Sequence, residues 1–375
     1  MAHHNVGIIG AGPAGAWLAA RLAKAGAEVF LFDHRAPWAK PCAGGMDPLI
    51  WREFPALEPL KTKGYPNQKV RIVTVRGDKL DINLPQPIYT LPRMEISQWL
   101  VDFATAAGAK FSREKITDFR AIDRGFALQS DGKEVAQVDF LVGADGAASM
   151  VRRRFCPDWP KSEFCFAINV PVHEAENLPV IIQFFPGLDG YVWFFPGKGI
   201  SSFGIGSRAG DKTPDELFSL LERTAEIEPV LAALKPRLRE DARKALIPAL
   251  HFSVLRRQKV AGENWALVGD AAGTAHPVSG EGIYQSLKSA DLLAEAILSG
   301  HPENYQSKWW GMCKRELVGP SLWGDWFYSR SMQDYLAGKL VKSVSARKIA
   351  VALVSCSRPA RKVLLADLIR MLFGG

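Results

Sequence analysis

The stretch "VGIIGAGPAGAWLAARLAKAGAEVFLFD", residues 6–33, decides the fold. Its opening "VGIIG" is a short apolar run suited to a buried parallel strand. The Ala- and Leu-rich segment from Pro13 predicts a helix ending near Gly26, and "EVFLFD" predicts a second strand finishing at Asp33. The sum is a βαβ unit. Within it Gly10, Gly12 and Gly15 stand at GxGxxG spacing, with Ala14 inside the motif. Gly10 permits a tight turn. Gly12 lets the backbone approach a pyrophosphate at the helix N-terminus, and Gly15 lets the helix pack on the strand. Asp33 ends the next strand at the distance where a carboxylate accepts ribose hydroxyls. This fingerprint implies a dinucleotide and does not separate FAD from NAD.

Two further segments narrow it. "LVGADGAASMVRR" (141–153) and "WALVGDAAGTAHPVSGEGIYQSLKSADLLAEAI" (265–297) each place an acidic turn after a buried strand, at Asp145 and Asp270. Asp270 suits a sugar or ribityl hydroxyl. Gly280 and Gly282 open a helix whose free amides suit a flavin pyrimidine oxygen or the charge of a reduced flavin. Three such turns in this order carry more weight than any one.

The 375 residues exceed what one core usually holds, so two lobes are expected. Alternating segments at 66–90, 116–142 and 161–208 read as β structure; 93–108, 214–239, 281–298 and most of the chain after 303 read as helix. Residues 34–60 read as loop. Parallel-strand pieces this far apart imply one discontinuous nucleotide-binding domain with β material inserted. The five cysteines are scattered with no metal-ligand spacing, so neither a metal site nor a disulfide framework is expected. A strand begins almost at once, which leaves no room for a signal peptide, and no apolar run is long enough to span a bilayer. A cytoplasmic protein is expected. The net charge of +8 is concentrated late: residues 301–375 hold 12 Lys/Arg against 5 Asp/Glu. No nucleic-acid-binding motif accompanies it.

The order "GAGPAG", "GADGAAS", "VGDAAG…GEGI" resembles the FAD-dependent group that includes the aromatic hydroxylases and geranylgeranyl reductases, over roughly residues 5–300. "KPCAGGM" (40–46) and "GYVWFFP" (190–196) resemble the geranylgeranyl reductase branch, which carries a Cys–Gly motif near the flavin and an aromatic pocket motif PxxYxWxFP. Tyr191, Trp193, Phe195 and Pro196 match the latter; Leu188 stands where its first proline belongs, and Ala43 where a glycine is common. The resemblance implies an α/β fold: a discontinuous Rossmann-like FAD-binding domain, an inserted antiparallel β-sheet substrate domain and a helical C-terminal region. The expected boundaries are 1–65, 91–155 and 261–300 for the FAD-binding domain, 66–90 and 156–260 for the substrate domain, and 301–375 for the basic helical region. It implies FAD held by Gly10, Gly12, Ala14, Gly15, Asp33, Asp145, Asp270, Gly280 and Gly282. Arg93, in "LPRMEISQWL", matches an arginine that opens a helix beside the cofactor, although Ser97 stands where the family often has Asp.

The implied chemistry is reduction of prenyl double bonds on a lipid or diphosphate. Electrons would come from NADPH or a ferredoxin, since no second GxGxxG segment serves a nicotinamide. "PGLDGYVWFFPGKG" (186–199) has two readings, a core strand or the apolar wall of a pocket for an isoprenoid chain; alternation turns Phe194 away from Tyr191, Trp193 and Phe195. Cys42 reads as a proton donor or redox partner over the flavin, or as a small buried residue. His276 and Glu281 are further polar candidates near the ring. The tail, with four tryptophans in 308–328 and basic and apolar residues interleaved over 338–374, reads as internal packing or as peripheral contact with the inner face of a membrane. Two other functions share the FAD signature. One is a monooxygenase acting on an aromatic substrate or protein side chain, because "GDAAGTAHP" also resembles the hydroxylases; a halogenase's WxWxIP lysine motif is absent. The other is an electron-transfer flavoprotein that docks to a partner through the tail.

Overall fold

A computed structural model describes residues 5–343 and Ala346, without 174, 176, 227, 228 and 234 or the side chains at 229, 230 and 236. The basic apolar stretch from 347 on, Pro359 and Cys356 included, lies outside the described residues.

In chain order the elements are β1 (Asn5–Ile9), α1 (Pro13–Lys24), β2 (Glu28–Phe32), β3 (Gly45–Met46), α2 (Pro48–Glu53), β4 (Tyr65–Val73), β5 (Lys79–Thr90) and α3 (Arg93–Ala106). There follow β6 (Lys110–Ser112), β7 (Asp118–Ala121), β8 (Phe126–Ser130), β9 (Lys133–Val138), β10 (Phe140–Gly143), α4 (Met150–Phe155), β11 (Phe164–Val172), β12 (Val180–Gln183), β13 (Gly190–Phe195) and β14 (Ser201–Arg208). The last are α5 (Pro214–Ala225), α6 (Pro229–Ala232), β15 (Arg243–Pro248), α7 (Phe252–Leu255), β16 (Trp265–Leu267), α8 (Ile283–Leu298), α9 (Tyr305–Glu316), α10 (Val318–Tyr328) and α11 (Arg330–Lys342). The segment expected to be loop at 34–60 contains α2, because Asp47 caps it: the carboxylate accepts from the Leu49 and Ile50 amides at 2.7 and 3.1 Å. The helix expected over 214–239 is α5 followed by shorter turns.

The chain forms two compact units. The first comprises residues 1–39, 94–160 and 247–321. Its sheet has the order β16-β10-β1-β2-β6 with every pair parallel. Val6, Ile8, Leu141, Val142, Ala266 and Leu267 are fully buried, as a sheet covered on both faces requires. Helices α1 and α8 pack together, and the Trp17 indole N–H donates to Asp291 at 2.9 Å. A separate antiparallel ribbon, β7-β8-β9, completes the unit.

The second unit comprises residues 40–93, 161–246 and 322–375. Its eight-stranded sheet runs β15-β11-β14-β13-β12-β4-β5-β3. β11 with β14, β14 with β13, β13 with β12, β4 with β5 and β5 with β3 run antiparallel, whereas β12 and β4 run parallel. Strand β13 lies inside the sheet and separates two environments by alternation. Val192 and Phe194 join Phe203, Ile205, Ile181 and the α5 residues Leu217, Phe218 and Leu221 in one apolar core. Tyr191, Trp193 and Phe195 therefore stand on the opposite face. Helix α5 is begun by a capping box, with Thr213 and Glu216 serving each other's amides.

Phe194→Ala removes a fully buried ring and is expected to cost roughly 3–5 kcal/mol of stability, against clearly less for the half-buried Phe195→Ala. Denaturant unfolding of the two variants checks this.

Candidate cofactor and substrate sites

In the first unit the expected residues converge on the carboxyl edge of one parallel sheet. β1 is followed at once by Gly10 and β2 by Asp33, while Asp145 stands two residues beyond β10 and Gly269–Asp270 just beyond β16. The chain leaves β1 on one side toward β2 and returns on the other as β10, so the edge beside β1 is the switch point where open α/β sheets receive ligands. The contacts are tight. Gly10 has φ +105°, and a Cβ there would lie 2.3 Å from the Ala144 carbonyl oxygen. A Cβ on Gly15 would lie 1.9 Å from the Gly10 carbonyl oxygen, and one on Gly269 2.9 Å from the Ala14 Cβ. Gly12 caps α1 without a side chain and has open space in front of it.

Asp33 is pinned by backbone amides: Oδ2 accepts from Ala11 at 2.9 Å, and Oδ1 from Arg35 and Ala36 at 2.9 and 3.2 Å. A carboxylate keeps further lone pairs for other donors. Asp145 is half-buried. Its Oδ2 accepts from the Met150 amide at 2.7 Å, its Oδ1 has no partner, and desolvation pushes its pKa above the ordinary carboxylate value. The Asp270 Oδ1 lies 3.3 Å from where a Cβ on Gly282 would stand, which joins the third acidic turn to the N-cap of α8. That helix also begins without a side-chain cap.

In the second unit, the Trp193 ring lies over Gly204, where a Cβ would approach it to 2.4 Å. Its indole N–H donates to Ser202 Oγ at 3.0 Å, and the Ser202 hydroxyl donates to Asn169 Oδ1. Tyr191 packs edge-on to Trp193 and against Phe184, which in turn meets Phe327 of α10. Gly45, in the turn after Cys42, would place a Cβ 3.3 Å from the Phe195 ring; Gly44 has φ +72° and would strike the Leu91 carbonyl oxygen. Cys42 is half-buried, and its Sγ accepts from the Gly44 amide at 3.4 Å. Arg93, in the same unit at the start of α3, is buried with Nε and Nη1 unpartnered. Ser97, at the place of the family's Asp, accepts from the Trp38 amide at 3.2 Å.

Residues 3–174 match the family model described as the FAD binding domain. The protein is an FAD-dependent oxidoreductase. It is 29% identical over 335 residues to a menaquinone reductase of Mycolicibacterium smegmatis, covering 81% of this chain and 79% of that one. It is 27% identical over 331 residues to digeranylgeranylglycerophospholipid reductase 2 of Methanopyrus kandleri, covering 81% and 82%. A geranylgeranyl bacteriochlorophyll reductase-like protein of Thermoplasma acidophilum shares the fold, with a TM-score of 0.73, 19% identity and coverage of 99% and 96%. The expected resemblance to the geranylgeranyl reductases is borne out.

The residues present in this oxidoreductase fit FAD. Two uncapped helix N-termini, glycines that admit a close approach, and a buried carboxylate oxygen and a buried Thr274 hydroxyl without partners form the donor and acceptor set that a dinucleotide demands. Arg152 was not anticipated, and His276, a polar candidate near the ring, has a state that the sequence does not give. Arg152 is buried, stacks 3.7 Å over the Trp159 ring and donates to the Ala147 carbonyl at 2.9 Å; the run "VRR" hid which arginine turns inward. His276 accepts from the Ser279 amide through Nδ1 at 3.1 Å. Part of His276 stays accessible, yet the dense surroundings of its ring push its pKa down to about 4. Among the described residues no cluster of His, Cys, Asp and Glu suits a metal, and no helix is long and apolar enough to cross a membrane.

Gly15→Ala forces a methyl into the Gly10 carbonyl and is expected to abolish FAD retention, read as loss of flavin absorbance in the purified protein. Because the folded His276 pKa lies below its unfolded value, the unfolded chain takes up this proton first. Its contribution to stability is therefore intact above about pH 6.5 and lost as pH falls toward about 4. Thermal unfolding from pH 7 to 4.5 is expected to decline less steeply in His276→Asn.

Proposed function

We propose that this flavoprotein reduces double bonds of a prenyl chain, carried on a lipid or a diphosphate. The observation that carries the reading is the aromatic face of β13: Tyr191, Trp193 and Phe195 side by side, with the Cys42–Gly45 turn packed on Phe195. Such a face binds a long apolar chain through buried area and dispersion. Because Ser202 already accepts the Trp193 N–H, the indole offers the ligand its ring and no unmet polar atom. Relatives named for reductases of a geranylgeranylated lipid and of menaquinone support the same substrate class.

In this reading Gly10, Gly12, Ala14, Gly15 and Asp33 hold the ADP half of the cofactor. Asp145 and Asp270 meet its ribityl-pyrophosphate region, Gly280 and Gly282 its pyrimidine end, and Arg93 neutralises phosphate charge with its unpartnered guanidinium nitrogens. FAD supplies hydride-transfer chemistry. The chain's own contribution is to orient the isoprenoid against the aromatic face, keep water from it, and deliver a proton from Cys42 Sγ. NADPH or a reduced ferredoxin supplies the electrons. We also propose peripheral contact of the basic C-terminal region with an anionic membrane, where the substrate resides; the exposed Leu322 and Trp326, one turn apart on α10, are the described apolar residues that support it.

Anaerobic, chemically reduced protein mixed with a geranylgeranylated lipid or diphosphate is expected to recover oxidised flavin absorbance and yield a saturated product. Cys42→Ala is expected to slow that step roughly 10²-fold while retaining FAD, and Tyr191→Ala to weaken substrate binding. Failure to reoxidise with the prenyl substrate, followed by hydroxylation of an aromatic compound under air, would replace the reductase reading with a monooxygenase.

A further inference from the structure

The turn "HPVSGEG", residues 276–282, is closed by four hydrogen bonds that all involve His276, two of them from Ser279, whose amide and hydroxyl both lie 3.1 Å from Nδ1. The His276 amide donates to the Glu281 carbonyl at 2.7 Å, and its carbonyl accepts from the Gly280 amide at 2.9 Å. The third bond fixes the state of the ring. A backbone amide can only donate, so the Ser279 N–H at 3.1 Å makes Nδ1 the acceptor and leaves the imidazole hydrogen on Nε2. An imidazolium has no acceptor to offer, so this geometry requires the neutral ring, and the lowered pKa keeps it neutral at ordinary pH. The ring thus cannot serve as a reservoir of acid. Its commitment is structural: it sets Gly280 at φ +69° and delivers Gly282 to the N-cap of α8, beside Asp270.

We propose that His276 is a positioning residue, a latch whose Nδ1 acceptor fixes the 276–282 turn and so holds the uncapped amides of α8 in place for the flavin. The inference rests on the reading that those amides serve the pyrimidine end of FAD. Amides at a helix N-terminus stabilise negative charge, so loosening them weakens the reduced flavin's hold more than the oxidised one's.

The test uses purified holoprotein and two readouts, the rate of FAD release and the midpoint potential of the bound flavin. His276→Ala is expected to release FAD about tenfold faster, the scale of one lost hydrogen bond, and to show a lower potential. His276→Asn keeps an oxygen acceptor able to reach a nearby downstream amide and is expected to hold both readouts close to the parent's. Should the alanine variant fail to fold, Ser279→Pro removes both the amide hydrogen and the hydroxyl that meet Nδ1, with the imidazole in place, and is expected to behave as the alanine variant should. Gly282→Val, which puts bulk in front of the α8 amides, separates the two levels of the argument. Altered release and potential in Gly282→Val with parental values in His276→Ala would overturn the latch and leave the α8 reading standing. Parental values in both would overturn the α8 reading and the latch with it. Equal losses in His276→Ala and His276→Asn would also overturn the latch, since the acceptor would then not be what matters.

Discussion

The first unit depends on backbone meeting backbone where β1 turns into α1. The Gly15 Cα faces the Gly10 carbonyl, and the Gly10 Cα faces Ala144, at distances that no side chain survives. Because these two contacts are so short, β1 and β10 can lie adjacent and parallel while α1 starts immediately above them. The remaining features of the edge follow. Asp33 lies close enough to accept from Ala11, Asp145 is drawn under the same turn, and Gly269 meets Ala14 from β16. Four segments far apart in the sequence come to one edge because the parallel strands that carry them pair in register.

A second constraint operates in β13. Strand alternation gives one six-residue segment two functions. Val192 and Phe194 are spent on the core beneath α5, which fixes the strand in the sheet, and that anchorage frees Tyr191, Trp193 and Phe195 for the other face. The glycines of β14 complete the arrangement. Gly204 and Gly206 pair with Trp193 and Tyr191, and the absence of side chains there lets the indole lie flat against the sheet. A bulky residue at 204 would lift the ring and change the shape of the whole face.

Much of this was legible beforehand, for identifiable reasons. The βαβ unit, the three acidic turns and the alternation in β13 are short-range patterns whose physical requirements leave few residue choices, and the fold they implied is the one observed. The helix α2 was hidden because its start depends on a single capping aspartate, Asp47, followed by Pro48, in a segment otherwise dominated by proline and glycine. The parallel pairing of β12 with β4 was hidden for a different reason: it joins residues 110 positions apart, and no local pattern encodes a long-range partner. Arg152 was hidden by the same limit, and so was the state of His276, although its place near the ring was anticipated. Each looks like an ordinary polar residue in sequence, and its character is set by what packs around it, Trp159 in one case and the Ser279 amide in the other.

The polar chain behind the aromatic face bears on selectivity. A tryptophan in a ligand wall brings an N–H that prefers a hydrogen-bonded partner, and an unmet one would favour ligands with an oxygen at that point. Here the N–H is answered from within by Ser202, whose own hydrogen is directed to Asn169. In the proposed reading, such a wall has no preference for polar atoms at this point and would discriminate by shape and apolar area alone. One additional methylene buried on such a face contributes about 0.8 kcal/mol, so on the proposed reading selectivity among prenyl chains would come from the length of the face and from whatever engages the polar end of the ligand. Ser202→Ala would leave the indole N–H buried and without a partner, a cost of about 1–3 kcal/mol in stability, because the bond lies behind the face and away from the surface that a ligand would meet.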